Sequence, residues 1–135
     1  MIIFKQLILL ATLLVSLTVS PVAHAEWTKV GVGKSGKTHY VDLQRIRKHD
    51  GKVYYWELND FPKPSADGTF SIMIYGEAEC GSFKYRFLKT TWHTKPMGEG
   101  KSHQTLKNAS GAIWGYPSRY SSKERALKLV CNHKS

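Results

Sequence analysis

Cysteine is nearly absent: Cys80 and Cys131 are the two in 135 residues. Two thiols cannot build a dense disulfide scaffold or a multi-cysteine zinc module. Carboxylates are also scarce. Ten Asp and Glu stand against twenty Lys and Arg, a formal excess of +10. The acids are scattered, so no pair suggests the two-carboxylate chemistry of glycoside hydrolysis. There is no G-x-S-x-G nucleophile elbow. His39, His49, His93, His103 and His133 form no metal-ligand spacing with one another or with cysteine. No catalytic residue, metal or cofactor is therefore expected. Long apolar runs are limited to one, which excludes a multi-span membrane protein.

That run lies at the N-terminus. Lys5 supplies a short positive region, Leu7 to Val19 are apolar apart from small hydroxyl residues, and Pro21 ends the stretch. Ala23-His24-Ala25 matches the small-x-small pattern of a signal-peptidase site. Residues 1–25 are expected to be a signal peptide and 26–135 one domain. The apolar run is too short for a membrane span, so no transmembrane segment is expected after cleavage. No cysteine adjoins the cleavage site, so the expected product is exported to the periplasm, the medium or the cell surface, and is not a lipoprotein.

With 41% hydrophobic and 22% charged residues, the remainder has a globular composition. Trp27–Val32 and Thr38–Asp42 read as a hairpin around a Gly33–Gly36 turn. Asp42 is placed to cap a short helical turn containing Leu43 and Ile46. Leu43 to His49 shows no strand alternation, and Asp50-Gly51 marks a turn. Lys52 to Phe61 is rich in aromatic and β-branched residues and predicts a long central strand. Two prolines and a glycine make Pro62–Gly68 a loop. Phe70, Ile72, Ile74, Ala78 and Cys80 then share one strand face, predicted dry; Ser71, Met73, Tyr75, Glu77 and Glu79 share the other, predicted wet. Phe83, Tyr85 and Phe87 alternate with Ser82, Lys84 and Arg86 in the next strand, which runs to about His93. Thr94 to Gly111 read as a connection with room for one more short strand, and Asn108–Ser110 match a glycosylation sequon.

The period changes at the C-terminus. Ser121 and Glu124 form a capping box. Leu127, Val130 and Cys131 recur on one helical face, with Lys123, Arg125 and Lys128 expected away from it. Cys131 thus lies on the apolar side of a helix and Cys80 on the apolar side of a strand. In an oxidising compartment a bond between them would fasten helix to sheet; the alternative is two buried thiols. The expected fold class is α+β, an antiparallel sheet with a C-terminal helix packed on one face.

Gly31–Thr38 fits the P-loop pattern G-x-x-x-x-G-K-[ST]. A strand pattern follows it instead of the helix whose N-terminus would face phosphates, so it reads as a hairpin turn and no nucleotide is expected. The basic residues fall into groups: Arg45, Arg47 and Lys48; Lys84, Arg86 and Lys89; Lys123, Arg125 and Lys128. One reading is a solvated face. The other is an electrostatic surface for a polyanion, with Lys84 and Arg86 as its first patch and Arg45, Arg47 and Lys48 as its second. Export argues against nucleic acid as the partner. A periplasmic inhibitor or accessory module that binds a protein partner is the alternative function. Trp27, Tyr40, Trp56 and Trp114 are assigned to sheet and core packing.

Trp27, Tyr40-Val41-Asp42, Ile46-Arg47, Val53, Trp56, Asp60-Phe61, Cys80, Trp114, Pro117, the Ser-led helix and Cys131 together resemble the surface-adhesin protein E family of Gram-negative bacteria. The resemblance spans nearly everything after residue 25. It implies a six-stranded antiparallel sheet with a C-terminal helix tied to its concave side through Cys80–Cys131. It also implies a non-enzymatic domain that binds extracellular-matrix or serum glycoproteins. No family binding motif maps onto this chain residue by residue, so no binding residue is carried over.

Overall fold

A computed structural model describes residues 25–107 and 112–134. The expected leader, Ala25 aside, and the Asn108–Ser110 sequon lie outside the described residues. β1 (Trp27–Val32) and β2 (Thr38–Asp42) form the expected hairpin. Its turn closes through Gly33 N–H donating to Lys37 C=O at 2.8 Å and Gly36 N–H donating to Gly33 C=O at 3.0 Å. Gly36 stands at φ +82°, where a side chain would be strained. The P-loop match is thus a strand–turn–strand, with no helix behind it.

The Asp42 carboxylate accepts from Gln44 N–H at 2.9 Å and caps a 3₁₀ turn, Leu43–Arg45, with Ile46 just past its end. A short strand follows that local alternation did not predict, β3 (Arg47–His49). Asp50 and Gly51, both at positive φ, turn the chain into β4 (Lys52–Asp60). β5 (Ser71–Glu79), β6 (Lys84–His93) and β7 (Ser102–Lys107) complete an antiparallel sheet in the order β1-β2-β4-β5-β6-β7, with β3 also paired to β4. The sheet has seven strands where about six were expected; three-residue β3 is one that local alternation did not show. α1 (Ser122–Asn132) ends the fold.

Register gives the sheet two faces. Val41, Val53, Tyr55 and Ala78 join Ala126, Leu127 and Val130 of α1 in the core, with Leu43, Ile46, Phe83 and Tyr85 at its margin. Each fully buried aliphatic side chain contributes about 1.5–3 kcal/mol relative to exposure. The Tyr55 ring lies over Gly76, where an added Cβ would be 2.9 Å from Cζ. A bulge opposite this point leaves Leu88 unpaired between the Tyr75–Lys89 and Gly76–Phe87 pairs.

Ser121 Oγ accepts from Glu124 N–H at 3.1 Å, as expected of a cap. The Glu124 carboxylate reaches back one residue further than a capping box requires, to Tyr120 N–H at 3.3 Å. Cys80 and Cys131 are bonded, with Cα atoms 5.7 Å apart, so the helix is stapled to the end of β5.

Two expectations need correction. The outward face of β5 is not uniformly wet. Ser71 is fully buried and Glu77 is 2% exposed. The 3₁₀ turn Pro96–Gly98 covers the first: Ser71 Oγ donates to Lys95 C=O and accepts from Gly98 N–H. Basic side chains cover the second. Lys123 is also not on the helix's solvent side. It precedes Leu127 by one turn and Val130 by two, so it shares their stripe. Its ammonium lies 4.7 Å from the Tyr85 ring centroid, 4.5 Å from that of Phe87, and pairs with the buried Glu57 carboxylate.

Candidate binding surface

The sheet face opposite α1 interleaves aromatic rings with cations. Trp27 stands across from Asp42 on the edge pair, and Asp42 is fully buried. Its second carboxylate oxygen accepts from Arg45 Nε at 2.6 Å. That bond fixes the guanidinium between two indoles, 5.7 Å from the Trp27 centroid and 5.3 Å from that of Trp56. Trp56 meets Tyr75 at 4.9 Å, Tyr75 stacks on Tyr54 at 6.2 Å, and Arg47 lies 5.3 Å over Tyr54. The run from Trp27 to Arg47 crosses four strands. Strand alternation delivers each ring to the same side, and register makes neighbours of them.

Beyond Tyr54 the face becomes an ion-pair cluster. Glu77 accepts from Arg86 Nε at 2.6 Å and from the Tyr54 hydroxyl at 3.3 Å, with Lys52 Nζ at 3.7 Å. Lys84 pairs with Glu79 at 3.2 Å, and its ammonium draws the Glu79 carboxyl below its ordinary value. Lys84 and Arg86 also lie 4.9 and 4.4 Å from the Trp114 ring centroid. Burial and the Glu77 charge push the Tyr54 phenol up.

The structure therefore places the anticipated basic residues unequally. Arg45 and Arg47 share the aromatic run. Lys84 and Arg86 share the same face, but carboxylates neutralise both. Lys48, next to Arg47 in a strand, points the other way and donates to His133 C=O at 2.8 Å, past the end of α1. Arg125 is likewise occupied, its Nε donating to Val30 C=O at 2.6 Å. Among the described residues, Lys29, Arg47, Lys89 and Lys107 on this face have no carboxylate partner; Lys89 pairs in register with both Tyr75 and Lys107. Trp27, Tyr40, Trp56 and Trp114, assigned to sheet and core packing, are half-buried on the sheet and absent from the buried core, so the sheet part of that assignment stands and the core part does not. Their odd and even positions relative to the core residues were the available signal: Trp56 alternates with Tyr55.

No helix among the described residues is long and apolar enough to cross a membrane. Sheet, staple and open face together define a small single-sheet α+β domain whose terminal helix is pinned by one disulfide. The chain belongs to the surface-adhesin protein E family, whose profile matches residues 27–132. No curated protein matches it. Solved structures of Haemophilus influenzae protein E share the fold. The selenomethionine form aligns with a TM-score of 0.59 at 12% identity, over 82% of this chain and 90% of that one. A second crystal form gives 0.54 at 12% identity, over 82% and 98%. Protein E from a non-typeable strain gives 0.54 at 12% identity, over 81% and 77%.

Proposed function

We propose that the chain is an exported, non-enzymatic recognition domain that holds acidic or glycosylated extracellular macromolecules against the open face of its sheet. The carrying observation is the Arg45 guanidinium held between Trp27 and Trp56, with Arg47, Lys89 and Lys107, which meet no carboxylate among the described residues, on the same sheet face. Flat rings offer stacking area to sugar C–H faces, and the cations offer charge to sulfate or carboxylate groups. The two effects act on one ligand because the rings and charges alternate on a single rigid surface. Lys84 and Arg86 form the border of that surface and support Trp114; their neutralised charges give the lesser share of the attraction. Family membership supports the reading, as does the predicted leader.

The test is heparin affinity chromatography with salt elution. Changing Arg47, Lys89 and Lys107 together to Ala removes cations that neutralise no carboxylate among the described residues, so folding should persist. Elution should move to lower salt, and the log–log salt slope should fall by up to about one per cation removed. Changing Lys34 and Lys63, in the loops at one end of the sheet, should move elution much less. Equal elution of the triple variant and the parent would refute the assignment of this face.

A further inference from the structure

A groove of about 550 Å³ lies on the helix side of the sheet, between the β1–β2 turn and the start of α1. Lys34, Arg119 and Arg125 line it, and none of the three meets a carboxylate among the described residues. Lys123 also lines it, but Glu57 neutralises that charge. Glu124, the acid nearest in sequence, is turned to Tyr120 N–H and to Lys128. Burial holds the His39 imidazole below its ordinary value of 6.5, so it adds no charge at neutral pH. Arg125 is held in place beforehand. β1 bulges at Val30, which pairs with no residue of β2. Val30 C=O accepts instead from Arg125 Nε at 2.6 Å, Tyr120 C=O from Nη1 at 3.3 Å, and Ser122 Oγ from Nη2 at 3.2 Å. Gly31 leaves room for the guanidinium, since a Cβ there would collide with Nη2. Asp42, Glu57 and Glu77 hold cations elsewhere and cancel them. Neutral oxygens hold Arg125, so its charge remains. These bonds use three of the five N–H donors of a guanidinium, which leaves one on each terminal nitrogen.

We infer that this groove binds a phosphate monoester, such as that of a sugar phosphate. A cationic ligand would be repelled, and a neutral one would leave three like charges facing each other. A carboxylate or a sulfate ester brings one negative charge. A phosphate monoester brings about −1.5 to −2 at neutral pH, with three strong acceptor oxygens. The two free N–H groups of Arg125 suit two of those oxygens at once, and Lys34 adds a point charge. Ser122 Oγ accepts from Arg125 and keeps its own proton to donate. The N-terminus of α1 opens on the same groove with a dipole of the same sign. Val32 and Tyr120, 53% and 82% exposed, are also on the lining and offer contact to the C–H groups of the ester. The volume is that of an ordinary small-molecule site. This site is separate from the open face and does not depend on the proposal made for it.

Amide spectra of the isotope-labelled protein, as processed by the producing cell, would be titrated with glucose 6-phosphate, glucose 6-sulfate and glucose to roughly 10 mM at constant ionic strength. Glucose 6-phosphate should shift the amides of Gly33, Ser122 and Lys123 saturably. Glucose should not, and the sulfate ester should bind at least about threefold more weakly. Arg119→Ala should weaken phosphate binding about threefold. Arg125→Lys keeps the charge but loses the paired N–H groups, and should weaken it about tenfold. If that variant does not fold, Lys34→Ala combined with Arg119→Ala carries the test. Lys107→Ala, on the other face, should leave binding unchanged. Vesicles of phosphatidylcholine and phosphatidic acid separate the sources of the group: displacement of glucose 6-phosphate assigns the site to a lipid headgroup, no displacement to a soluble ester, and both keep the monoester as the group recognised. The proposal fails if glucose 6-phosphate gives no saturable shifts, if the sulfate and phosphate esters bind equally, or if the shifts ignore the groove variants.

Discussion

Replacing Cys80 and Cys131 together by Ala tests how the terminal helix is held. The two positions are 51 residues apart. In the chain-entropy description, opening a loop of that size returns about 14 cal/mol/K to the unfolded chain, or about 4 kcal/mol at 25 °C. Losing two sulfurs at the core margin adds about 1 kcal/mol. Against the 5–15 kcal/mol typical of a domain, the variant should fold but with little reserve. Ala126, Leu127 and Val130 remain to dock the helix, so far-ultraviolet circular dichroism should be preserved at low temperature. Urea unfolding gives the decisive reading. With a slope near 2 kcal/mol/M, the midpoint should fall by about 2.5 M, and the slope should rise because the unfolded chain expands. A midpoint shift below roughly 0.5 M with an unchanged slope would refute the reasoning, since the unfolded state would then be equally compact with or without the bond.

Gly76→Ala would put a Cβ 2.9 Å from Tyr55 Cζ between two central strands. Overpacking of this kind costs about 1–3 kcal/mol and should lower Tm by at least about 4 °C. Gly81→Ala, where nothing lies within 4 Å of the added atom, should leave Tm within about 1 °C, and equal effects at the two sites would contradict the close approach. His39 supplies a pH dependence. Burial lowers its folded-state value from 6.5 against the opposing pull of Asn59 and Glu57, with Lys123 and Lys37 adding to the depression. The unfolded chain therefore binds the proton first, and stability declines as pH falls through 6.5 toward the folded value. His39→Asn should flatten the Tm profile over that window, and an unchanged slope would show that another group sets it.

Much of this architecture was legible because its periods are local. Alternation from Phe70 to Cys80 and the Leu127–Val130–Cys131 stripe each put a sulfur on an apolar face. The staple then followed from geometry. What alternation cannot show is the cover on a strand's second face. Ser71 and Glu77 read as wet because polar residues at period two ordinarily are, yet a 3₁₀ turn 25 residues on buries one and Arg86 with Lys52 buries the other. Lys123 was misplaced for a related reason. A lysine on an apolar stripe looks like an interruption until a carboxylate from a distant strand meets it. The open face was only partly readable. Arg45 and Arg47 were flagged by charge, but their aromatic neighbours arrive from β1, β4 and β5 through pairing, and Lys48 was grouped with them although strand alternation turns it away.

Pairing also decides which basic residues are available for recognition. Asp42, Glu57 and Glu77 are buried, and each draws a cation into the framework: Arg45, Lys123 and Arg86. Two groups of lysines stand apart from these, one at an end of the sheet and one on the open face. Register sets Thr38 across from Asp60 and Ser71 across from His93, so the turns carrying Lys34, Lys37, Lys63, Lys95 and Lys101 gather at one end of the sheet. That end is rich in charge, but long lysine side chains on turns lose rotamer freedom when they bind. The open face has fewer free cations, but the Asp42 bond already holds Arg45, and strand pairing already holds the rings. An acidic ligand meeting both surfaces should approach through the long-range field of the lysine-rich end and bind where the groups are ordered beforehand. Removing Lys34, Lys37 and Lys63 should accordingly slow association at low salt with little change in dissociation, whereas Trp56→Ala should speed dissociation and leave association nearly intact. The reverse partition, measured by surface-immobilised heparin, would place the recognition surface in the loops.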